Sequence, residues 1–467
     1  MFVGREEELA TLQNLYGSNR FEMLVLYGRR RVGKTALLEE FCASKPAIMF
    51  TAQAQADGDN LTDFSRAIAS FFGMPESTPS FASWMDALNY VGEKAKEANL
   101  ILVFDEFPYA AKSNPALASV FQIAIDKVLS KTRMLLVLCG SNQGFMENEV
   151  LSEKSPLYGR RTSQLKLRPF DYFDAARMLP GCSPEERVSY YASLGGTPYY
   201  LAGVQEGKTY VENMADLFFS RVGLMFDEPM MLLRQELREP AVYGSILRAL
   251  ASGCTRVGQI ADRSGVAATS LAFYLKTLTD LGLVERAVPF GEGERSKRAL
   301  YRVSDPAFLF WYRFVAPYVS AVENGLGEDV ARRLLSDERR NEYEGHLFER
   351  ICRQWVVRQA RAGALPLHPT AVGSWWGADP AAHEQTDIDV VAADDIDKVA
   401  LLGECKWRNQ FDESEALATL TNRQHLIGGY KERYLYLFTK RAVSETTRTT
   451  AALEKHMRCI SVDEMYE

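Results

Sequence analysis

Apolar residues follow three rhythms along the chain. Phe21 to Tyr27, Leu100 to Phe104 and Met134 to Cys139 are nearly unbroken apolar runs bounded by polar turns. Such runs read as strands buried on both faces, with a helix over Thr35 to Phe41 after the first. From Tyr243 the spacing becomes helical. Ser245 to Leu250 reads as one helix and Val257 to Ala261 as the start of a second. A third covers Ala267 to Leu281, with Leu271, Tyr274, Leu275, Leu278 and Leu281 on one face. Leu283 to Val288 and Arg298 to Val303 then flank a polar, glycine-containing stretch, Gly291 to Lys297, which predicts a two-stranded ribbon. Pro306 to Tyr318 is dense in aromatics at helical spacing (Phe308, Phe310, Trp311, Tyr312, Phe314, Tyr318) and predicts a buried seam rather than a stacking surface. The last third predicts a helix over Asn341 to Gln354, an alternating strand Gln385 to Val391, and a second strand Val399 to Trp407 after the turn at Asp394-Asp395.

At 467 residues the chain is too long for one core, and length points to three or four domains. The segments expected are 1–168, 169–238, 239–322 and 323–467.

The turn after the first strand carries chemistry. Gly28-Arg29-Arg30-Arg31-Val32-Gly33-Lys34-Thr35 matches the phosphate-loop pattern GxxxxGK(S/T), between strand and helix as the pattern requires. Its backbone N–H groups would wrap phosphates, Lys34 would reach the β/γ oxygens and Thr35 would ligate Mg²⁺. The ligand is a nucleoside triphosphate, taken as ATP. The three arginines at the variable positions are expected to face solvent. Asp105, at the end of the second run, would hold the Mg²⁺ and Glu106 would polarise the attacking water. The third run ends in Gly140-Ser141-Asn142, and Asn142 is the candidate sensor of the γ-phosphate. Arg160, after Leu157-Tyr158-Gly159, would stabilise the transferring phosphoryl group in cis or across a subunit interface, or else would hold an acid elsewhere.

Helix–turn–helix followed by a ribbon is the winged-helix arrangement. Residues 241–320 hold ten Lys and Arg against six Asp and Glu, in a chain of net charge −7, so any DNA contact is local. Lys276 on the third helix and Arg295, Lys297 and Arg298 on the wing are the candidate phosphate contacts. Thr269, Ser270 and Thr277 are weaker ones. Packing between domains is the competing role.

In the last third, Glu404 and Lys406 lie two residues apart on one strand face. If the two strands pair as a hairpin, Asp389 approaches Glu404. Two carboxylates then hold Mg²⁺ or Mn²⁺ while Lys406 positions the water. His383 lies nearby without an assigned role, and Cys405 is expected to be core.

Phe2-Val3-Gly4-Arg5-Glu6-Glu7-Glu8-Leu9, Ser155-Pro156-Leu157-Tyr158-Gly159-Arg160-Arg161-Thr162 and Gly195-Gly196-Thr197-Pro198-Tyr199-Tyr200 resemble, in order and spacing, the markers of the prokaryotic (archaeal-type) AAA+/STAND-like ATPase family. The resemblance spans about the first half of the chain. It implies an α/β P-loop NTPase core, Gly4-Arg5 near the adenine side, and a helical lid carrying the Gly-Gly-Thr-Pro turn. The stretch "I-D-V-V … L-L-G-E-C-K-W" resembles the PD-(D/E)xK nuclease superfamily, although Ile388 rather than proline precedes Asp389. It implies a C-terminal α/β restriction-endonuclease-like domain with an extra acid on its leading helix, for which Glu349 is preferred over Glu344. The four segments are then ATPase core, lid, winged helix and nuclease-like domain. The expected function is an ATP-regulated, metal-dependent nuclease acting on DNA. The alternative is a non-cleaving nucleotide-gated switch or DNA-binding regulator, whose last domain binds a partner or oligomerises.

Composition narrows this little. At 47% hydrophobic and 25% charged the chain is ordinary for a globular protein. Seven scattered cysteines form no CxxC pair, which argues against zinc and disulfide frameworks. No apolar run is long enough for a membrane span and no signal peptide is read at the start, so a cytoplasmic setting and no membrane partner are expected. A homo-oligomer is left open.

Overall fold

The computed structural model describes residues 2–96 and 98–467. Its contacts divide into two compact units.

The first runs to Phe170 and includes Thr197–Tyr199. Its five strands are β1 (Glu22–Tyr27), β2 (Ala47–Thr51), β3 (Leu100–Asp105), β4 (Met134–Gly140) and β5 (Ser163–Lys166). They lie in the order β2-β3-β4-β1-β5, and every pairing is parallel. Because side chains alternate along a strand, the central strands feed two cores. Met23, Val25, Leu102, Phe104 and Leu136 pack with Phe64, Ile68 and Phe121. Leu24, Leu26, Ile101, Val103 and Leu135 pack with Leu12, Leu37 and Phe41. The strands therefore read as unbroken apolar runs, and all of them end on one edge of the sheet. That edge carries Gly28, Asp105 and Ser141 on neighbouring strands.

The second unit holds Asp171–Gly196 and Tyr200–Glu467. Its first part is helical, with Pro184–Leu194 and Tyr210–Phe218 each starting from a capping box, at Ser183 and Thr209. Helices Pro240–Ala251, Val257–Ser264 and Ala268–Asp280 follow, then the antiparallel pair β6 (Val284–Ala287) and β7 (Leu300–Val303). The first of these begins earlier than its apolar spacing predicts, because Pro240 sits in the first turn where its missing N–H costs nothing.

The aromatic segment is a seam for most of its length. Phe308, Phe310, Trp311, Tyr312 and Phe314 are buried, whereas Tyr318 is exposed. Trp311 Nε1 donates to the Phe226 carbonyl (2.7 Å), and Phe310 meets the Tyr343 ring at 5.9 Å.

The final sheet has the order β12-β11-β10-β9-β8: β8 (Ala371–Asp379), β9 (Glu384–Asp394), β10 (Val399–Lys406), β11 (Glu432–Thr439) and β12 (Met457–Ser461). β8, β9 and β10 run antiparallel, and β10, β11 and β12 run parallel. The helix before it, Asp337–Arg361, is longer than predicted at both ends. Gly403 sits where β10 is pressed between its neighbours: a Cβ there would stand 2.9 Å from both the Phe438 ring and Val390. Gly403→Ala is therefore expected to destabilise this sheet by about 1–3 kcal/mol, measured as a lowered urea midpoint of the intact chain.

Candidate functional sites

The phosphate loop leaves β1 at Gly28, where a Cβ would stand 2.4 Å from the Leu167 carbonyl oxygen, so only glycine passes. Gly33 at φ 93° makes the left-handed step into helix Lys34–Cys42. Lys34 is buried, and its Nζ donates to the Gly28 and Arg29 carbonyls, both at 2.9 Å. Thr35 Oγ1 donates to Asp105 Oδ2 (2.9 Å), which brings together the two oxygens expected to ligate Mg²⁺. Lysine, hydroxyl and carboxylate converge at a turn that excludes side chains from its first glycine. This donor set fits a nucleoside triphosphate with its cation.

Glu106 adopts φ 50°, and its carboxylate accepts from the Ser141 hydroxyl. Asn142 is engaged differently. Its Oδ1 caps the following turn at Phe145 N (2.8 Å), so Ser141 is the side chain beside the carboxylates. Burial and the neighbouring Asp105 push the Cys139 thiol well above its usual range, which leaves it unreactive.

The loop arginines do not face solvent. Arg29 is buried, Arg30 donates to the Tyr109 hydroxyl (2.7 Å), and the Arg31 guanidinium lies 4.5 Å from the Tyr199 ring centroid. Each finds a neighbour because the loop is enclosed. Arg5 is likewise buried, at φ 70°. It donates to the Val32 carbonyl (3.0 Å) and stacks on Phe170. Pro198, in the Thr197–Tyr199 segment of the first unit, reaches the same place, since a Cβ on Gly33 would meet it at 3.8 Å.

Arg160 is not brought to its own phosphate loop. It forms a two-point ion pair with Asp126 (2.9 and 2.8 Å). Thr162 N bonds the Met23 carbonyl beside the start of β1, so Arg160 lies toward the opposite edge of the parallel sheet. A role in cis is thereby corrected.

In the last sheet, Gly403 pairs with Val390, which sets Asp389 across from Glu404. Cys405 N donates to Asp389 Oδ2 (2.8 Å). Burial, then the charges of Glu349, Glu404 and Asp387, hold the Asp389 carboxyl well above its usual range. Glu404 is buried and accepts from Lys406 Nζ (2.7 Å) and from Arg423 Nη1 (3.0 Å). Glu349 stands 3.3 Å from His346 and 3.9 Å from Arg353, whose Nη1 donates to the Asp389 carbonyl (2.6 Å). Glu344 lies elsewhere, buried and accepting from Trp407 Nε1 (2.7 Å). Asp389, Glu404, Glu349 and Lys406 are thus gathered, together with Arg423 and Arg353, which the sequence did not single out. Among the described residues no three His, Cys, Asp or Glu side chains stand at metal-ligating separation. Burial is the larger cause of the raised Asp389 carboxyl; a divalent cation between Asp389 and Glu404 would relieve only the share that comes from the neighbouring carboxylates. Cys405 is half-buried rather than core, and His383 occupies an exposed left-handed turn.

On the winged helix, Arg295 and Lys297 are exposed, and Lys276 is exposed beside Asp280 (2.6 Å). Arg298 differs. It pairs with Glu292 and donates to the Trp376 carbonyl (3.1 Å), while Trp376 Nε1 donates back to the Arg298 carbonyl (3.2 Å). The wing lies against β8, with Phe290 N on the Ser374 carbonyl at 2.8 Å. The Arg298 guanidinium is engaged there, although its side chain stays exposed.

Residues 2–204 match the model of an ATPase domain predominantly from Archaea, 244–287 that of the IclR helix-turn-helix domain, and 311–418 that of archaeal and bacterial proteins of unknown function. An uncharacterized protein of Methanocaldococcus jannaschii is 34% identical over 433 residues, covering 92% of this chain and 93% of its own length. An uncharacterized ATP-binding protein of the same organism is 49% identical over 45 residues, 10% of this chain and 76% of that one. Among solved structures, a Walker-type ATPase of Pyrococcus abyssi aligns with TM-score 0.49 at 22% identity, over 67% of this chain and 96% of that one. The Aeropyrum pernix ORC2 protein aligns with TM-score 0.41 at 16% identity, over 71% and 95%. No helix among the described residues is long and apolar enough to cross a membrane.

A carboxyl whose pKa is raised by folding weakens the fold wherever it must be ionised. That penalty is full above the raised pKa and fades as pH falls toward the ordinary aspartate value of about 3.9. Asp389→Asn, which keeps an acceptor for Cys405 N, is therefore expected to melt higher than wild type at neutral pH in chelator. The advantage should shrink as the pH is lowered, followed by thermal melts across a pH series.

Proposed function

Because the chain belongs to the archaeal-type ATPase family, we propose that it is an ATP-regulated, metal-dependent nuclease acting on DNA. The observation that carries the nuclease part is the convergence of Asp389, Glu404 and Glu349 with Lys406 at the β9–β10 pairing.

At the ATPase site, Lys34 would exchange its bonds to the loop carbonyls for the β/γ oxygens, and Thr35 with Asp105 would hold Mg²⁺. When bound, the ion neutralises charge on the phosphates. Glu106 would polarise the attacking water, with Ser141 fixing the orientation of its carboxylate. Arg160 holds an acid, Asp126, as its alternative reading has it, and a role across a subunit interface would require it to leave that acid.

At the second site, Asp389 and Glu404 would hold the divalent ion, which supplies Lewis acidity and an activated water when bound. Arg423 fixes the Glu404 carboxylate, Arg353 fixes the backbone at Asp389, and Lys406 lies where it would steady charge on the scissile phosphate. Exposed Arg295, Lys297 and Lys276 would meet DNA phosphates, a reading supported by the helix-turn-helix match.

One observation favours a second reading. Glu404 is already neutralised by Lys406 and Arg423, which suits a non-cleaving, nucleotide-gated switch. Cleavage of plasmid and single-stranded DNA with Mn²⁺ or Mg²⁺, with and without ATP, separates the two. Lys406→Ala is expected to abolish cutting, and Lys34→Ala to remove its response to ATP. If wild type cuts under none of these conditions, the switch is the better description. In the ATPase, Ser141→Ala is expected to lower turnover by about 10- to 100-fold and Asn142→Ala by much less, measured by phosphate release.

A further inference from the structure

A cavity of about 320 Å³ lies between the winged helix and helix Asp337–Arg361. Four arginines from three separate elements line it: Arg302 on β7, Arg313 on the aromatic turn, and Arg350 and Arg353 on the long helix. Glu285, opposite Arg302 in the ribbon, is the one acid among the lining residues. Some of this charge is met locally. Arg313 stands 3.4 Å from the exposed Glu342, Arg353 stands 3.9 Å from Glu349, and Arg350 donates to the Ser304 carbonyl. A guanidinium carries five N–H donors, so one such contact does not exhaust it.

Gathering four guanidinium groups around one small space, in a chain of net charge −7, is costly unless an anion shares it. Planar, forked donors suit phosphate oxygens in particular. The remaining wall includes Leu250, Leu309 and Leu347, an apolar surface of the kind that takes a flat base. The volume stands at the small end of ligand sites, enough for one nucleotide and too small for a duplex.

We propose that this cavity binds a single nucleoside phosphate, either free or as the terminal nucleotide of a strand. It is separate from the phosphate loop. It adjoins the acidic cluster through Arg353, whose Nη1 reaches the Asp389 carbonyl at 2.6 Å. Occupancy does not depend on whether that cluster cleaves.

The test is calorimetric binding in chelator, which prevents cutting, with Lys34→Ala throughout so that the ATP site is not counted. The probes are thymidine 5′-monophosphate and one short single strand bearing either a 5′-phosphate or a 5′-hydroxyl. Arg302→Gln and Arg350→Gln are each expected to weaken binding by about tenfold or more. Arg313→Gln, on a half-exposed side chain, serves if Arg350→Gln melts early. Monophosphate binding as tight as that of the phosphorylated strand assigns a free nucleotide. A phosphorylated strand binding more tightly than both other probes assigns a strand end. The proposal is overturned if neither phosphate-bearing probe binds better than the hydroxyl strand, or if the arginine variants bind as the parent does.

Discussion

Sliding β10 by one residue against β9 would turn Glu404 and Lys406 to the other face of the sheet and bring Cys405 opposite Asp389. The pairing of Gly403 with Val390 prevents this, because no side chain fits where Phe438 and Val390 close on the glycine. A comparable constraint governs the first sheet. Parallel strands buried on both faces must all end at one edge, and the close passage of Gly28 past Leu167 fixes where the phosphate loop begins. In both sheets the polar chemistry sits where an apolar register has been settled by contacts that involve no reacting group.

That separation decides what could be read from sequence. The phosphate loop is contiguous, so its strand, glycines, lysine and threonine were all visible. The strands β2 and β5 were not: β2 is half-exposed on an edge, and β5 is short and polar, so neither carries an unbroken apolar run. Glu349 was found through its motif, but Arg423 and Arg353 reach the cluster only by folding, at spacings no local pattern encodes. Ser141 and Asn142 are adjacent and both polar. Which of them faces Glu106 depends on a helix cap, a choice made by backbone direction rather than by composition.

Counting charge along the chain also does not say what each charge meets. The positive excess of residues 241–320 suggested a basic face. Part of it is engaged within the chain: Arg286 on the Ser296 carbonyl, Arg298 on the Trp376 carbonyl, and Arg302 and Arg313 around the cavity. Arg248, Arg256, Arg263, Lys276, Arg295 and Lys297 are exposed. Arginine is suited to such use, since its fork can bond carbonyls and aromatic faces while keeping its charge.

The wing has one more consequence for the last sheet. β8 is a terminal strand with a neighbour on one side only, and its outward carbonyls recur at every second residue. The Ser374 and Trp376 carbonyls are two such groups, and the wing takes both, through Phe290 N and Arg298. The loop after β6 therefore acts as a stopper on an otherwise open β-edge. A chain clipped within it would expose a template on which a second copy could add a strand.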